Sequence, residues 1–121
     1  MSTILIVEDN VLNTTLVEEI LSNAGYTVLL AEDAEQALPL AHTHHPEVVL
    51  MDIRLPGMSG VTALQHLRND PQTCAAKVIA VTANALVGER ERLIAAGFDG
   101  YVAKPFKMRA LLDAIEAALS T

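Results

Sequence analysis

Val48-Val49-Leu50-Met51-Asp52-Ile53-Arg54-Leu55-Pro56-Gly57-Met58-Ser59-Gly60 is the stretch that decides the fold. It begins with a run of apolar residues, rich in β-branched side chains and continuous rather than alternating. A strand reads this way when both its faces are covered, as in a parallel sheet. Similar runs occur at Ile4-Leu5-Ile6-Val7, Val28-Leu29-Leu30-Ala31 and Val78-Ile79-Ala80-Val81, with a weaker one at Tyr101-Val102-Ala103.

Helical spacing fills the intervals. Leu12, Leu16, Ile20 and Ala24 recur in i,i+4 steps, backed by Val17 and Leu21, and the pattern stops at Gly25, a favourable residue just past a helix end. A second helix, from about Asp33 to His44, carries Ala34, Ala37, Leu38 and Ala41 on one side. Pro39 stands in its middle. An interior proline clashes with the carbonyl four residues back, here Glu35, at about 3 kcal/mol, so a kink or a late start is expected. Val61, Leu64 and Leu67 mark a third helix, Leu86, Leu93 and Ile94 a less regular fourth. Met108, Leu111, Leu112, Ile115 and Leu119 mark the last. Such alternation calls for right-handed crossovers and a parallel sheet between two layers of helix, an α/β doubly wound (βα)5 domain over residues 1–121.

Composition narrows the function. The 121 residues suffice for one domain with a real core. Apolar residues make up 51% and charged ones 19%, which excludes a disordered tail or a rod. Fifteen acidic against eight basic residues give a charge of −7, unsuited to gripping nucleic acid directly. Cys74, the single cysteine, excludes a disulfide framework and a cysteine-based zinc site. There is no basic leader, and the apolar runs fall far short of the ~20 residues a membrane helix needs, so a cytoplasmic chain without membrane contact is expected.

In open parallel sheets, function gathers at the carboxyl ends of the strands. Glu8 and Asp9 follow the first strand, Asp52 the third, Thr82 the fourth and Lys104 the fifth. Adjacent carboxylates raise one another's pKa unless a cation sits among them. Hard oxygen ligands suit Mg²⁺, or Mn²⁺, over zinc. The glycine loops that cradle a nucleotide are absent. A metal-dependent phosphoryl site is the reading that uses all five residues.

Val7-Glu8-Asp9-Asn10, Met51-Asp52 through Gly60, Val81-Thr82-Ala83-Asn84 and Tyr101-Val102-Ala103-Lys104-Pro105-Phe106 together resemble the receiver domain of two-component response regulators, over about Thr3 to Leu119. Asn10 with Asn13, and the run from Thr82 to Arg92, are most similar to receivers of hybrid sensor kinases and of single-domain cell-cycle regulators. The resemblance implies a flavodoxin-like fold with strand order 2-1-3-4-5. It implies that Asp52 accepts a phosphoryl group from a phosphohistidine. Asp9 directly, Glu8 through water, Asp52 and the Arg54 carbonyl would hold the metal. Thr82 and Lys104 would meet the phosphoryl oxygens, with a cis Lys104–Pro105 peptide aiming the lysine inward. Thr82 and Tyr101 would form the switch that repacks the face of helix 4, strand 5 and helix 5. Arg54 and Asn84 would tune dephosphorylation. The implied partners are a histidine kinase or histidine phosphotransferase and an output protein, the chain itself being a monomer or weak homodimer. With the last helix ending so close to Thr121, the message is expected to pass through another protein.

Plainer readings stand beside these. Asp52 alone is also a turn aspartate, Glu8 and Asp9 also enrich the first turn of a helix, and Asn10 is also an N-cap. His42, His44 and His45 complement a helix C-terminus more simply than they bind metal. Arg90, Arg92, Lys107 and Arg109 read as a solvated patch or as a docking surface for an acidic partner. A phosphatase of the haloacid-dehalogenase type is the alternative enzyme, but it wants an aspartate two residues after the nucleophile, where Arg54 stands. A flavodoxin-like cofactor binder is weaker, since Glu8 and Asp9 would repel a flavin phosphate.

Overall fold

Strand and helix alternate throughout: β1 (Thr3–Val7), α1 (Val11–Asn23), β2 (Thr27–Ala31), α2 (Ala34–His44), β3 (Val48–Asp52), α3 (Gly60–Asn69), β4 (Lys77–Thr82), α4 (Glu89–Ala96), β5 (Gly100–Ala103) and α5 (Met108–Leu119). The computed structural model describes residues 2–55, 57–83, 88–105 and 107–120. The strands form one five-stranded parallel sheet in the order β2-β1-β3-β4-β5.

The period of two along a strand divides the apolar runs between two cores. Leu5, Val7, Val49, Met51, Val78 and Ala80 point to one side, where α2, α3 and α4 contribute Ala34, Ala37, Ala41, Leu64, Leu67 and Leu93. Their neighbours Ile4, Ile6, Val48, Leu50, Ile79 and Val81 point to the other, against Val17 and Leu21 of α1 and Leu111, Ile115 and Ala118 of α5. Continuous apolarity is therefore required of β1, β3 and β4. At the corner beneath β4, the Arg68 guanidinium bonds the carbonyls of Ala76 and Gly97 and pairs with Asp99 at 2.6 Å. Asp99 also accepts the Val78 N–H at 2.8 Å, so α3, β4 and the approach to β5 are tied at one point.

Several sequence readings need correction. Leu12 and Leu16 do not face the core; they are 81% and 45% exposed, while Val17 and Leu21 are buried. Helix α1 carries two parallel apolar stripes; Val17 and Leu21 lie fully under the sheet, with Ile20 partly buried beside them. β2 is not covered on both faces: it is an edge strand, with Thr27 and Leu30 exposed. Pro39 does not delay α2, which starts at Ala34 with Asp33 accepting the Gln36 N–H and runs through the proline to His44. Met108 and Ile94 are exposed, whereas Leu111, Ile115 and Leu93 carry the packing of their helices. Gly25 does follow the end of α1, with φ +95°. The assignments of Asn84, Leu86 and Phe106 fall outside the described residues.

The facing of α1 gives a direct test. Leu21→Ala is expected to cost about 2–5 kcal/mol in chemical denaturation, whereas Leu12→Ala stays within about 0.5 kcal/mol of the parent.

Candidate functional site

Parallel register brings the chemistry to one edge. Val7 pairs with Met51, so Glu8 emerges beside Asp52. Asp52 pairs with Val81 and Thr82 with Ala103, so Thr82 and Lys104 arrive at the same level from the next two strands. Main-chain bonds extend the ladders by one step: the Glu8 N–H donates to the Ala31 carbonyl, Ile53 N–H to Val81, and Lys104 N–H to Thr82. The Lys104–Pro105 peptide is cis, matching the expectation from the resemblance.

At this edge Glu8, Asp52 and Thr82 are buried, 6%, 5% and 2% exposed, while Asp9 stands in solvent. The Lys104 ammonium bridges the two buried acids, 2.7 Å from Glu8 Oε1 and 2.9 Å from Asp52 Oδ2. The other Asp52 oxygen, Oδ1, accepts the Arg54 N–H at 2.9 Å. Glu8 is held from three sides: Oε1 also accepts the Asn13 side-chain amide at 3.0 Å, and Oε2 accepts the Asp9 N–H at 3.1 Å.

These contacts separate the acidities of the two carboxyls. Burial pushes the Glu8 carboxyl up, as do the hydrogen bond and charge of Asp52, with Lys104 and Asn13 pulling the other way. Burial also opposes ionisation of Asp52, but hydrogen bonds with Glu8, Lys104 and the Arg54 N–H outweigh it and hold this carboxyl below its ordinary value. Burial works against the Lys104 ammonium too, and the two acids reverse that effect and raise it. Of the two, Asp52 is the carboxyl whose contacts favour its ionised form.

Carboxylate oxygens of Glu8, Asp9 and Asp52 all lie within 4.8 Å of one another. One ammonium cannot neutralise three carboxylates, and the remaining donors are hard oxygens. The donor set fits a hard divalent cation. No three-ligand group involving His42, His44, His45 or His66 occurs among the described residues. His42 instead pairs with Asp70 at 2.7 Å and holds that carboxyl below the usual range, and His45 closes α2 with φ +51°. The basic patch is partly self-paired: Arg92 binds Glu89 at 2.7 Å and Arg109 binds Asp113 at 3.5 Å. Tyr101 is half-buried and packs on the core beneath α2, α3 and α4.

Two residues matter more than sequence reasoning indicated. Asn13 stood out only as part of a pattern, yet its amide touches Glu8. Gly60 opens α3 so close to β3 that a Cβ there would lie 2.9 Å from the Asp52 carbonyl oxygen and 3.0 Å from the Ile53 Cα. Ser59, just before it, caps α3 by accepting the Thr62 N–H.

A buried aspartate held by an ammonium and a main-chain N–H, beside two more acids at the carboxyl edge of a 2-1-3-4-5 sheet, describes a receiver-type site. Residues 4–116 match the family model of the response regulator receiver domain. The polar-differentiation response regulator DivK of Brucella ovis is 37% identical over 116 residues, which cover 96% of this chain and 94% of that one. The crystal structure of the receiver domain of a Pseudomonas aeruginosa sensor histidine kinase, with a magnesium ion in its active-site cleft, superposes with a TM-score of 0.90 at 38% identity, over 99% of this chain and 98% of that one. A response-regulator structure from Chloroflexus aurantiacus gives 0.93 at 30% identity, with the same coverage of both chains. The chain belongs to the response-regulator receiver family and is a phosphoacceptor signalling switch. Among the described residues, no helix is long and apolar enough to cross a membrane.

The close approach at Gly60 yields a prediction. Gly60→Ala forces the main chain of residues 52–53 or the start of α3 to shift, so thermal or urea denaturation should report a loss of about 1–3 kcal/mol.

Proposed function

We propose that Asp52 accepts the phosphoryl group. The observation that carries the reading is the Asp52 carboxylate itself: buried, and held at one oxygen by the Arg54 N–H and at the other by Lys104. An Asp52 oxygen attacks phosphorus in line, a P–O bond forms as the P–N bond of a phosphohistidine breaks, and the electron pair returns to the imidazole. Little covalent chemistry is left for the protein, so positioning and charge neutralisation do the work. Lys104 swings its ammonium from Asp52 to a phosphoryl oxygen, and the Thr82 hydroxyl donates to another. Glu8, Asp9 and Asp52, with the Arg54 carbonyl, would hold Mg²⁺, or Mn²⁺ with the same donor preference, and the bound ion would supply Lewis-acid neutralisation of phosphoryl charge. The same residues assist loss of the group to water.

The phosphodonor is a histidine kinase or histidine phosphotransferase. Val11, Leu12 and Leu16 expose an apolar strip at the start of α1 beside Glu8 and Asp9, where a donor helix presents its phosphohistidine to Asp52. Phosphorylation adds about −1.5 to −2 charges. Thr82 and Tyr101 answer that charge by repacking the face of α4, β5 and α5, a shift between existing populations that an output protein reads.

Incubation with acetyl phosphate and Mg²⁺ should add one phosphoryl group by intact mass, absent in Asp52→Asn and removed by hydroxylamine. No mass increase with this donor or with a cognate kinase overturns the reading. The Arg54 side chain, two residues after Asp52, is exposed, and its proposed role is to screen the acyl phosphate from water. Arg54→Ala is expected to shorten the phosphoryl half-life severalfold, and an unchanged half-life removes that role.

A further inference from the structure

Asn13 stands at the head of the inward stripe of α1, with Val17 and Leu21 one and two turns below it. Its polar side chain is half-buried at a position where a core residue would otherwise continue the stripe. The amide Nδ2 donates to Glu8 Oε1 at 3.0 Å, the same oxygen that meets Lys104 Nζ at 2.7 Å. The opposite oxygen takes the Asp9 N–H at 3.1 Å. A glutamate has three side-chain torsions, and a lysine ammonium attracts it without fixing its plane. Three donors converging from α1, the residue after β5 and the β1–α1 turn do fix it.

We infer that Asn13 is a positioning residue, which holds the Glu8 carboxylate facing Asp52 and thereby sets the affinity of the acid cluster for a divalent cation. The inference rests on the metal-dependent phosphoacceptor reading above and deepens it. Groups that orient a metal's ligands without touching the metal are worth roughly 10–100-fold in affinity. The helix does not need the amide for its own bonds: Asn10 caps α1, accepting the Leu12 and Asn13 N–H groups at 3.0 and 3.2 Å. Asn13 serves the acid cluster rather than the helix end.

The test uses Mg²⁺ titration of the full chain by calorimetry, with acetyl phosphate labelling followed by mass. Asn13→Leu, close in volume but without a donor, should raise the Mg²⁺ dissociation constant roughly tenfold. The melting temperature in EDTA should stay near that of the parent. Labelling at saturating Mg²⁺ should keep its maximal rate, the half-saturating concentration alone shifting. Asn13→Gln, which keeps the amide on a longer arm, should recover much of the affinity. If the leucine disturbs folding, Asn13→Ala removes the same donor without the branched bulk and is judged by the same titration. Unchanged Mg²⁺ affinity in the donorless variants, or a fall in maximal rate with affinity intact, overturns the inference. Failure of the parent chain to bind Mg²⁺ or to be labelled at Asp52 falls instead on the phosphoacceptor reading, and is read from the parent alone.

Discussion

The Lys104 ammonium, set between Glu8 and Asp52, is the interaction on which the site depends. Two carboxylates buried beside each other are costly, and buried charge persists only when paired and hydrogen-bonded. Lys104 supplies the pairing from just past β5, across β4, reaching the ends of β3 and β1. That reach is possible only if three ladders end at the same level, so the register of the whole sheet is implicated in one contact. The Arg54 and Asp9 N–H groups complete the arrangement from the two loops that follow β3 and β1. Sheet order, loop geometry and carboxylate acidity are one constraint seen at three scales.

The layers behind the edge keep it in place. Ala34, Ala37 and Ala41 give α2 a smooth inner face that approaches the sheet closely, and Gly60 lets α3 begin against the main chain of β3 itself. The Arg68–Asp99 tie anchors the opposite end of β4. Asp52 therefore sits on a strand packed on both faces, while Asp9, Leu12 and Leu16 beside it remain open. A firmly held carboxylate at the rim of an accessible surface suits the proposed acceptor role.

Much of this was legible in the residues. Continuous apolar runs marked β1, β3 and β4 because both faces of those strands really are covered, and the acids, Thr82 and Lys104 were legible because parallel strands place their following residues together. β2 misled because its run resembles the others, and edge position is set by strand order, which no local pattern encodes. The order itself came only through the resemblance. In α1, two stripes of near-equal apolarity left the facing undecided locally; the choice falls to tertiary contacts, Val17 and Leu21 under the sheet and Asn13 against Glu8. Asn13 was hidden for the same reason, since its role is defined by a residue on another element. Pro39 shows local conflict yielding to packing: α2 continues because Ala34, Ala37 and Ala41 are buried on both sides of it.

The charge of −7 follows a similar logic. A phosphoryl group arriving on such a chain meets repulsion that solvent screens only beyond about 8 Å. The compensation must therefore be local. Arg68, Arg92 and Arg109 are engaged with Asp99, Glu89 and Asp113, and Lys104 is the side-chain cation paired with the acid cluster among the described residues. A single ammonium balances less than the cluster and a phosphoryl group together carry. A divalent cation held by the acid cluster, as proposed, would close that gap. The acidic composition that argues against direct nucleic-acid binding thus supplies, at this edge, a donor set that fits a hard cation, and under the proposed role of Asn13 the orientation of one glutamate bears directly on it.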